Sequence, residues 1–134
     1  MTVSKQLKTQ LKTLKLGDLI EVQWCDASVG KSLGSGHAID VPVRSWGVFI
    51  GLLGEKTKHI VIAQNSFRYA DGFFDLDYTA IPLSWTTGIK VVVPALVQAP
   101  VSKGLLNSFL WKGRHPSSSQ RTFQQRLSTD GGLD

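Results

Sequence analysis

The spacing of the apolar residues changes near Asp18, and this change constrains what the chain can fold into. Between residues 3 and 14, leucines and a valine recur every three or four residues, which is the apolar stripe of an amphipathic helix. From Ile20 to Trp24 every second residue is apolar, which is typical of a half-buried β-strand. The sequence therefore predicts one N-terminal α-helix followed by β-structure.

Four further segments carry the β-branched and aromatic residues that strands favour. Together with the first, the predicted strands cover residues 18–24, 45–53, 59–64, 78–83 and 89–93. The segments at residues 26–44 and 65–77 are predicted to be loops. Trp24 and Trp46 fit inward positions of their strands, so both are expected in the core. One helix and five short strands without βαβ alternation favour a mainly β fold, a small and strongly bent antiparallel barrel.

The chain of 134 residues has room for one domain with tails. We assign residues 1–98 to the barrel with its N-terminal helix. Residues 99–134 are basic and rich in serine, glutamine and arginine, and we expect a flexible tail that is largely extended or disordered. Within it, a short apolar segment of one or two helical turns runs from Leu105 to Trp111.

Basic charge is concentrated at the two ends of the chain. Residues 1–16 hold four lysines and no acidic residue, and residues 99–134 hold five basic and two acidic residues. The middle, residues 17–98, is close to neutral, with six basic and eight acidic residues. Such ends suit polyanions, nucleic acid above all, because binding releases counterions. The alternative is that the charge serves only solubility.

The residue types that carry catalysis or bind metals are sparse and scattered. Cys25 is the single cysteine, which excludes an internal disulfide framework and a cysteine-rich zinc site. The three histidines, His37, His59 and His115, lie far apart in sequence and are not spaced as zinc ligands. We therefore expect no enzyme, no metal and no cofactor.

Two patterns bear on the compartment. No apolar run approaches the roughly 20 residues that span a bilayer. The N-terminal segment lacks the apolar core of a signal peptide, because lysines interrupt it. These patterns predict a cytoplasmic protein without a membrane partner.

Two pairs of segments resemble strands of the Sm-like group of SH3-like barrels. Residues 47–54 and 60–63 are similar to the second and third strands of that group, and residues 81–83 and 89–92 to its closing pair. The resemblance covers residues 4–94 and implies an N-terminal helix, a bent five-stranded barrel and RNA contacts in two loops. These loops map onto residues 55–59 and 84–88. Neither holds the residues usual in the family, an Asp…Met-Asn pattern in the first and Arg-Gly in the second.

A second resemblance concerns residues 17–22 and 45–51, which look like the opening of lecithin retinol acyltransferase-like NlpC/P60 thiol enzymes. That family needs a histidine beside the tryptophan and a cysteine nucleophile downstream. Here Ser45 stands at the histidine position, and no cysteine follows Cys25. A thiolate without a base is a poor nucleophile near neutral pH, so this resemblance implies a catalytically dead copy.

The leading prediction is a non-enzymatic barrel that binds nucleic acid, RNA rather than duplex DNA. Trp85 lies in a tight polar turn, where it either stacks on a base or folds back over the mouth of the barrel. The loop and tail residues expected to bind nucleic acid are Lys5, Lys8, Lys12, Lys15, Lys56, Lys58, Trp85, Lys112, Arg114, Arg121 and Arg126.

Two alternatives remain open. The first is a protein-interaction module or assembly subunit, a homo-oligomer through edge strands or a protein whose segment from Leu105 to Trp111 docks on a partner. The second is the catalytically dead hydrolase-like fold kept for ligand binding.

Overall fold

A computed structural model of the chain describes residues 3–26, Leu33 and residues 39–112. The elements are α1 (Lys5–Thr13), β1 (Leu19–Asp26), β2 (Val41–Leu53), β3 (His59–Arg68), β4 (Phe74–Pro82), a 3-10 turn (Leu83–Trp85), β5 (Thr86–Val93) and α2 (Ala99–Leu110). The predicted mainly β fold, with an N-terminal helix and five antiparallel strands, is confirmed. The predicted extended or disordered tail beyond Lys112, and most of the predicted loop after Asp26, lie outside the described residues.

The five strands form one antiparallel sheet in the order β4-β3-β2-β1-β5. β4 and β5 are its two edges, so the sheet is open in this arrangement. Its closure into a barrel stays a prediction. At the β5 edge the side-chain oxygen Oε1 of Gln10 in α1 accepts a hydrogen bond of 3.1 Å from the backbone N–H of Ile89.

The hairpin of β3 and β4 is longer than predicted. Residues 65–68 pair with residues 74–77, so the predicted loop at 65–77 is wrong except at its tip. The tip closes with a 2.8 Å bond from the N–H of Tyr69 to the carbonyl of Phe73, and Gly72 has a φ of +91° there. Most of this arm is exposed. It therefore lacks the clean apolar alternation from which strands are recognised. Likewise, β1 and β2 pair out to Asp26 and Val41, which shortens the predicted loop at 26–44.

Each face of the sheet has its own core. The first core is covered by α1 and consists of Leu7, Ile20, Val22, Phe49, Ile60, Ile62, Ile81 and Ile89. The second core is covered by α2 and consists of Ile50, Val61, Ala63 and Leu105. β2 serves both cores because consecutive side chains of a strand point to opposite faces, so Phe49 enters the first core and Ile50 the second.

Trp46 was expected in the core, and this prediction is wrong because its side chain is 51% exposed. Trp46 and Ile50 do share one face of β2, but it is the face opposite the first core, which receives Phe49 instead. α2 covers Ile50 and leaves Trp46 open. Alternation identifies two faces of a strand and does not say which face receives a covering layer.

α2 is longer than the one or two turns predicted for the apolar segment. It runs over twelve residues. Proline lies in its first turn, where a backbone N–H would have no acceptor within the helix. Leu105 is 4% exposed in the second core, and the ring of Phe109 meets that of Tyr78 edge-on at 4.8 Å. The helix lies wholly within the segment assigned to a largely extended tail, and it packs on β2 and β4.

Two connections of the chain meet at Gly17 and Asp18, which we call the junction. The carbonyl of Gly17 accepts a 3.0 Å bond from the N–H of Val97. Asp18 is 4% exposed, and its carboxylate accepts bonds from the N–H groups of Lys15 and Ala95 at 3.0 and 2.9 Å. The junction therefore ties the segment after α1 to the segment that leads from β5 into α2.

Candidate nucleic-acid interface

α1 and the segment that directly follows it present four lysines to solvent. The opposite side of α1 is anchored by Leu7, which is 2% exposed, and Ser4 caps the helix by accepting a 3.1 Å bond from the N–H of Leu7. These lysines, which we call the lysine face, are Lys5, Lys8, Lys12 and Lys15, and all four are exposed. With no acidic residue in the first sixteen positions, the face is uniformly positive.

Trp85 lies beside the lysine-bearing turn between β2 and β3. The N–H of Leu83, in the 3-10 turn, donates a 2.9 Å bond to the carbonyl of Lys58. This bond joins the predicted loop at residues 55–59 to the turn that precedes the predicted loop at residues 84–88. Lys56 and Lys58 are exposed, and Trp85 is 41% exposed. The structure therefore joins the loop that carries Trp85 to the loop that carries Lys56 and Lys58.

Trp85 also stacks on Trp24, with ring centroids 6.3 Å apart and planes 17° from parallel. The indole N–H of Trp24 donates a 3.0 Å bond to the hydroxyl of Ser45, which fixes the orientation of that ring. Trp85 therefore packs against the sheet and keeps two-fifths of its surface in solvent, and its stacking on a base stays a prediction. Ser45, at the position where the enzyme resemblance requires histidine, serves as a hydrogen-bond acceptor.

The C-terminal candidates are only partly described. Lys112 follows α2 and is exposed, whereas Arg114, Arg121 and Arg126 lie outside the described residues. The apolar segment before them packs on its own sheet through Leu105 and through Trp111, whose ring lies 4.7 Å from that of Phe73. A partner docking on this segment would contact the half-exposed Leu110 and Trp111.

Sequence reasoning missed the surface around Trp46. Strand pairing places Glu21 of β1 opposite Trp46, and Lys90 of β5 opposite Glu21. Arg44 lies two residues before Trp46 and therefore on the same face of β2. The spacing of Arg44 and Trp46 was visible in the sequence. The pairing with β5 was not, because it depends on the strand order of the sheet, and the open face was not, because it depends on where α2 docks.

The arm formed by the ends of β3 and β4 has the opposite charge. A hollow of about 280 Å³ there is lined by Asn65, Ser66, Phe67, Asp75 and Asp77. The hydroxyl of Tyr69 donates a 3.0 Å bond to the carboxylate of Asp75. Burial, and next this hydrogen bond, raise the pKa of Tyr69 above its ordinary value of 10.0. Carboxylates repel phosphates, so the arm does not belong to the candidate interface.

We expect the raised pKa of Tyr69 to make stability fall at alkaline pH. Above about pH 10 the unfolded chain loses the phenol proton before the folded chain does. The protonated side chain of Tyr69 therefore makes its full contribution to the free energy of unfolding below that pH. This contribution is lost as the pH rises through the folded-state pKa. Tyr69→Phe cannot titrate, so urea unfolding from neutral to alkaline pH should show a weaker decline for this variant. Identical declines in the two proteins would contradict the assignment.

Among residues 3–26, 33 and 39–112, no three histidine, cysteine, aspartate or glutamate side chains come together as a metal ion would require. Neither helix in this part of the chain has the length and apolar character needed to cross a membrane. Comparisons of the chain with protein-family models, curated proteins and solved structures gave no match.

Proposed function

We propose that this domain binds single-stranded nucleic acid, RNA in the first place, and catalyses no reaction. The observation that carries the proposal is the bond between Leu83 and Lys58, which joins the loop of the half-exposed Trp85 to a lysine-bearing turn. An exposed indole offers a flat surface on which an unpaired base stacks, and adjacent ammonium groups attract the flanking phosphates. A base inside a duplex is already stacked on its neighbours, which is why a single strand is the better ligand.

The lysine face would supply the sequence-independent part of the affinity. Its four ammonium groups are exposed and unopposed by acidic residues in the same segment. Contacts of this kind neutralise phosphates and release counterions without reading bases. The C-terminal side would add to this electrostatic part of the affinity through Lys112, Arg114, Arg121 and Arg126.

We also propose that the domain is an Sm-like or SH3-like barrel. A helix precedes β1, β2 bends at its register shift, and a 3-10 turn joins β4 to β5. The edge strands of the order β4-β3-β2-β1-β5 are the two that barrel closure would bring together. These features support the proposal. A cytoplasmic location, with its RNA and its reducing conditions, would suit the free Cys25.

The test is the salt dependence of binding. Fluorescence anisotropy with labelled single-stranded RNA should show affinity that falls steeply with salt. Replacing all four residues of the lysine face with glutamine should lower the slope of log K against log salt by up to about 3, since each phosphate contact on a single strand contributes about 0.7. The full chain is used in both cases.

Lys103→Gln is the matched control, because Lys103 is exposed on α2 and is not part of the interface. It should leave the slope nearly unchanged. Absence of binding to any nucleic acid at low salt would refute the proposal. Assembly through the edge strands β4 and β5 would then be the function to test, by light scattering.

A further inference from the structure

Three strands carry an open surface centred on Trp46. Strand register sets Trp46, Glu21 and Lys90 in one row across β2, β1 and β5, with Arg44 next to Trp46 along β2. We call these four residues the Trp46 face. Both helices pack elsewhere, because α1 covers the first core and α2 covers the second core at Ile50. The indole of Trp46 therefore keeps 51% of its surface in solvent.

On this face the positively charged groups are exposed and the negatively charged group is largely covered. Its one acidic residue, Glu21, is engaged on both sides: it accepts a 3.2 Å bond from the side chain of Gln23, and its carboxylate lies 3.8 Å from Nε of Arg44. The side chain of Glu21 is only 14% exposed, whereas that of Arg44 is 69% exposed. Lys90 is exposed as well. An approaching ligand thus meets two cations and an indole, with the carboxylate largely covered.

The backbone beneath the indole is held in place. The side-chain amide of Gln64 donates a 3.3 Å bond to the carbonyl of Trp46, which links β2 to β3 at this point. Gly47, the next residue, lies so close to β3 that a Cβ there would be 2.9 Å from Cβ of Ile62. A ring on a fixed strand loses little conformational freedom when a flat ligand covers it.

We infer that the Trp46 face is a second contact surface for single-stranded nucleic acid, in which Trp46 stacks on an unpaired base while Arg44 and Lys90 contact the flanking phosphates. The inference rests on the proposed function and adds a site on the opposite side of the sheet from the first core. The occupant follows from complementarity: an exposed aromatic plane with two cations on the same face matches a base and its flanking phosphates.

The experiment compares Trp46→Ala and Trp46→Phe with the unchanged full chain, using labelled oligouridine RNA and the same oligonucleotide without bases. Loss of one stacked base should weaken binding of oligouridine by roughly 5- to 100-fold. The salt slope should not change, and Trp46→Phe should retain much of the affinity. Binding of the base-free oligonucleotide should be unaffected by either variant. Replacing both Arg44 and Lys90 with glutamine should lower the slope by about 1.

Trp111→Ala is the matched control, since Trp111 is 50% exposed and lies at the end of α2. It should bind oligouridine as the unchanged chain does. Circular dichroism of each variant shows that its fold is kept, and quenching of tryptophan fluorescence by RNA should be smaller in Trp46→Phe. If the unchanged chain binds and Trp46→Ala binds equally well, the inference is refuted and the proposed function stands. If the unchanged chain does not bind, both are refuted.

Discussion

Gly17→Ala is expected to lower the free energy of unfolding by about 3–5 kcal/mol, the largest effect of any change considered. Gly17 has a φ of +95°, a conformation that costs residues with a Cβ about 1–2 kcal/mol. A Cβ at this position would also lie 2.1 Å from the carbonyl oxygen of Val97 and 2.4 Å from the hydroxyl of Ser102. Relief would require the backbone to move, which breaks the bond from Val97 to Gly17.

Gly72→Ala separates the two contributions to this effect. Gly72 has nearly the same φ, +91°, but a Cβ there would meet nothing within 4 Å. It should therefore show only the conformational cost of about 1–2 kcal/mol. Urea unfolding at neutral pH measures both variants against the unchanged chain. Equal losses in the two variants would show that crowding at the junction is not what makes Gly17 necessary.

Asp18→Ala is expected to destabilise the domain by about 2–5 kcal/mol. The carboxylate of Asp18 accepts hydrogen bonds from the N–H groups of Lys15 and Ala95 in a site that is 4% exposed. Without it, two backbone donors in a partly buried site lose their partners, and each unsatisfied group costs up to about 1–3 kcal/mol. Ala95 has a φ of +51°, so the carboxylate also holds a strained residue in place.

Asp18→Asn tests the same contact with almost no change in shape. One carboxylate oxygen becomes an NH2 group, which faces a donor where an acceptor is needed, so a smaller loss in the same direction is expected. Glu55→Ala is the control for the change in charge, because Glu55 is exposed in the turn between β2 and β3. It should leave the urea midpoint nearly unchanged. A stable Asp18→Ala variant would mean that water replaces the carboxylate.

The parts of the fold that could be predicted are those set by local pattern. The stripe that places Leu7 inward identified α1, and the alternation of Ile20 and Val22 identified β1. Residues 65–68 were missed because they pair only with residues 74–77 and most of their surface is exposed. A strand shows alternating apolar and polar residues when one of its faces is buried. An arm that extends beyond the core has no such face and shows little alternation.

The candidate site shows the same division. The lysine face could be predicted from the sequence, since Lys5, Lys8 and Lys12 fall outside the apolar stripe of α1 and Lys15 follows the helix. The link between the loops of Trp85 and Lys58 could not be predicted from the sequence, because it depends on a hydrogen bond between two loops. Trp46 was assigned to the wrong side for a related reason. Its exposure depends on where α2 stops covering β2, which is a property of tertiary packing rather than of the strand.

The bond between Gln10 and Ile89 means that α1 also covers part of the edge strand β5. An edge strand offers its unpaired N–H groups to any other strand that approaches. At Ile89 the carboxamide of Gln10 stands where the carbonyl of such a strand would be, so the helix masks this position against strand addition. The same helix carries three of the four residues of the lysine face. Detaching it would therefore remove most of the proposed polyanion contact and at the same time uncover a place where a strand of another sheet could join.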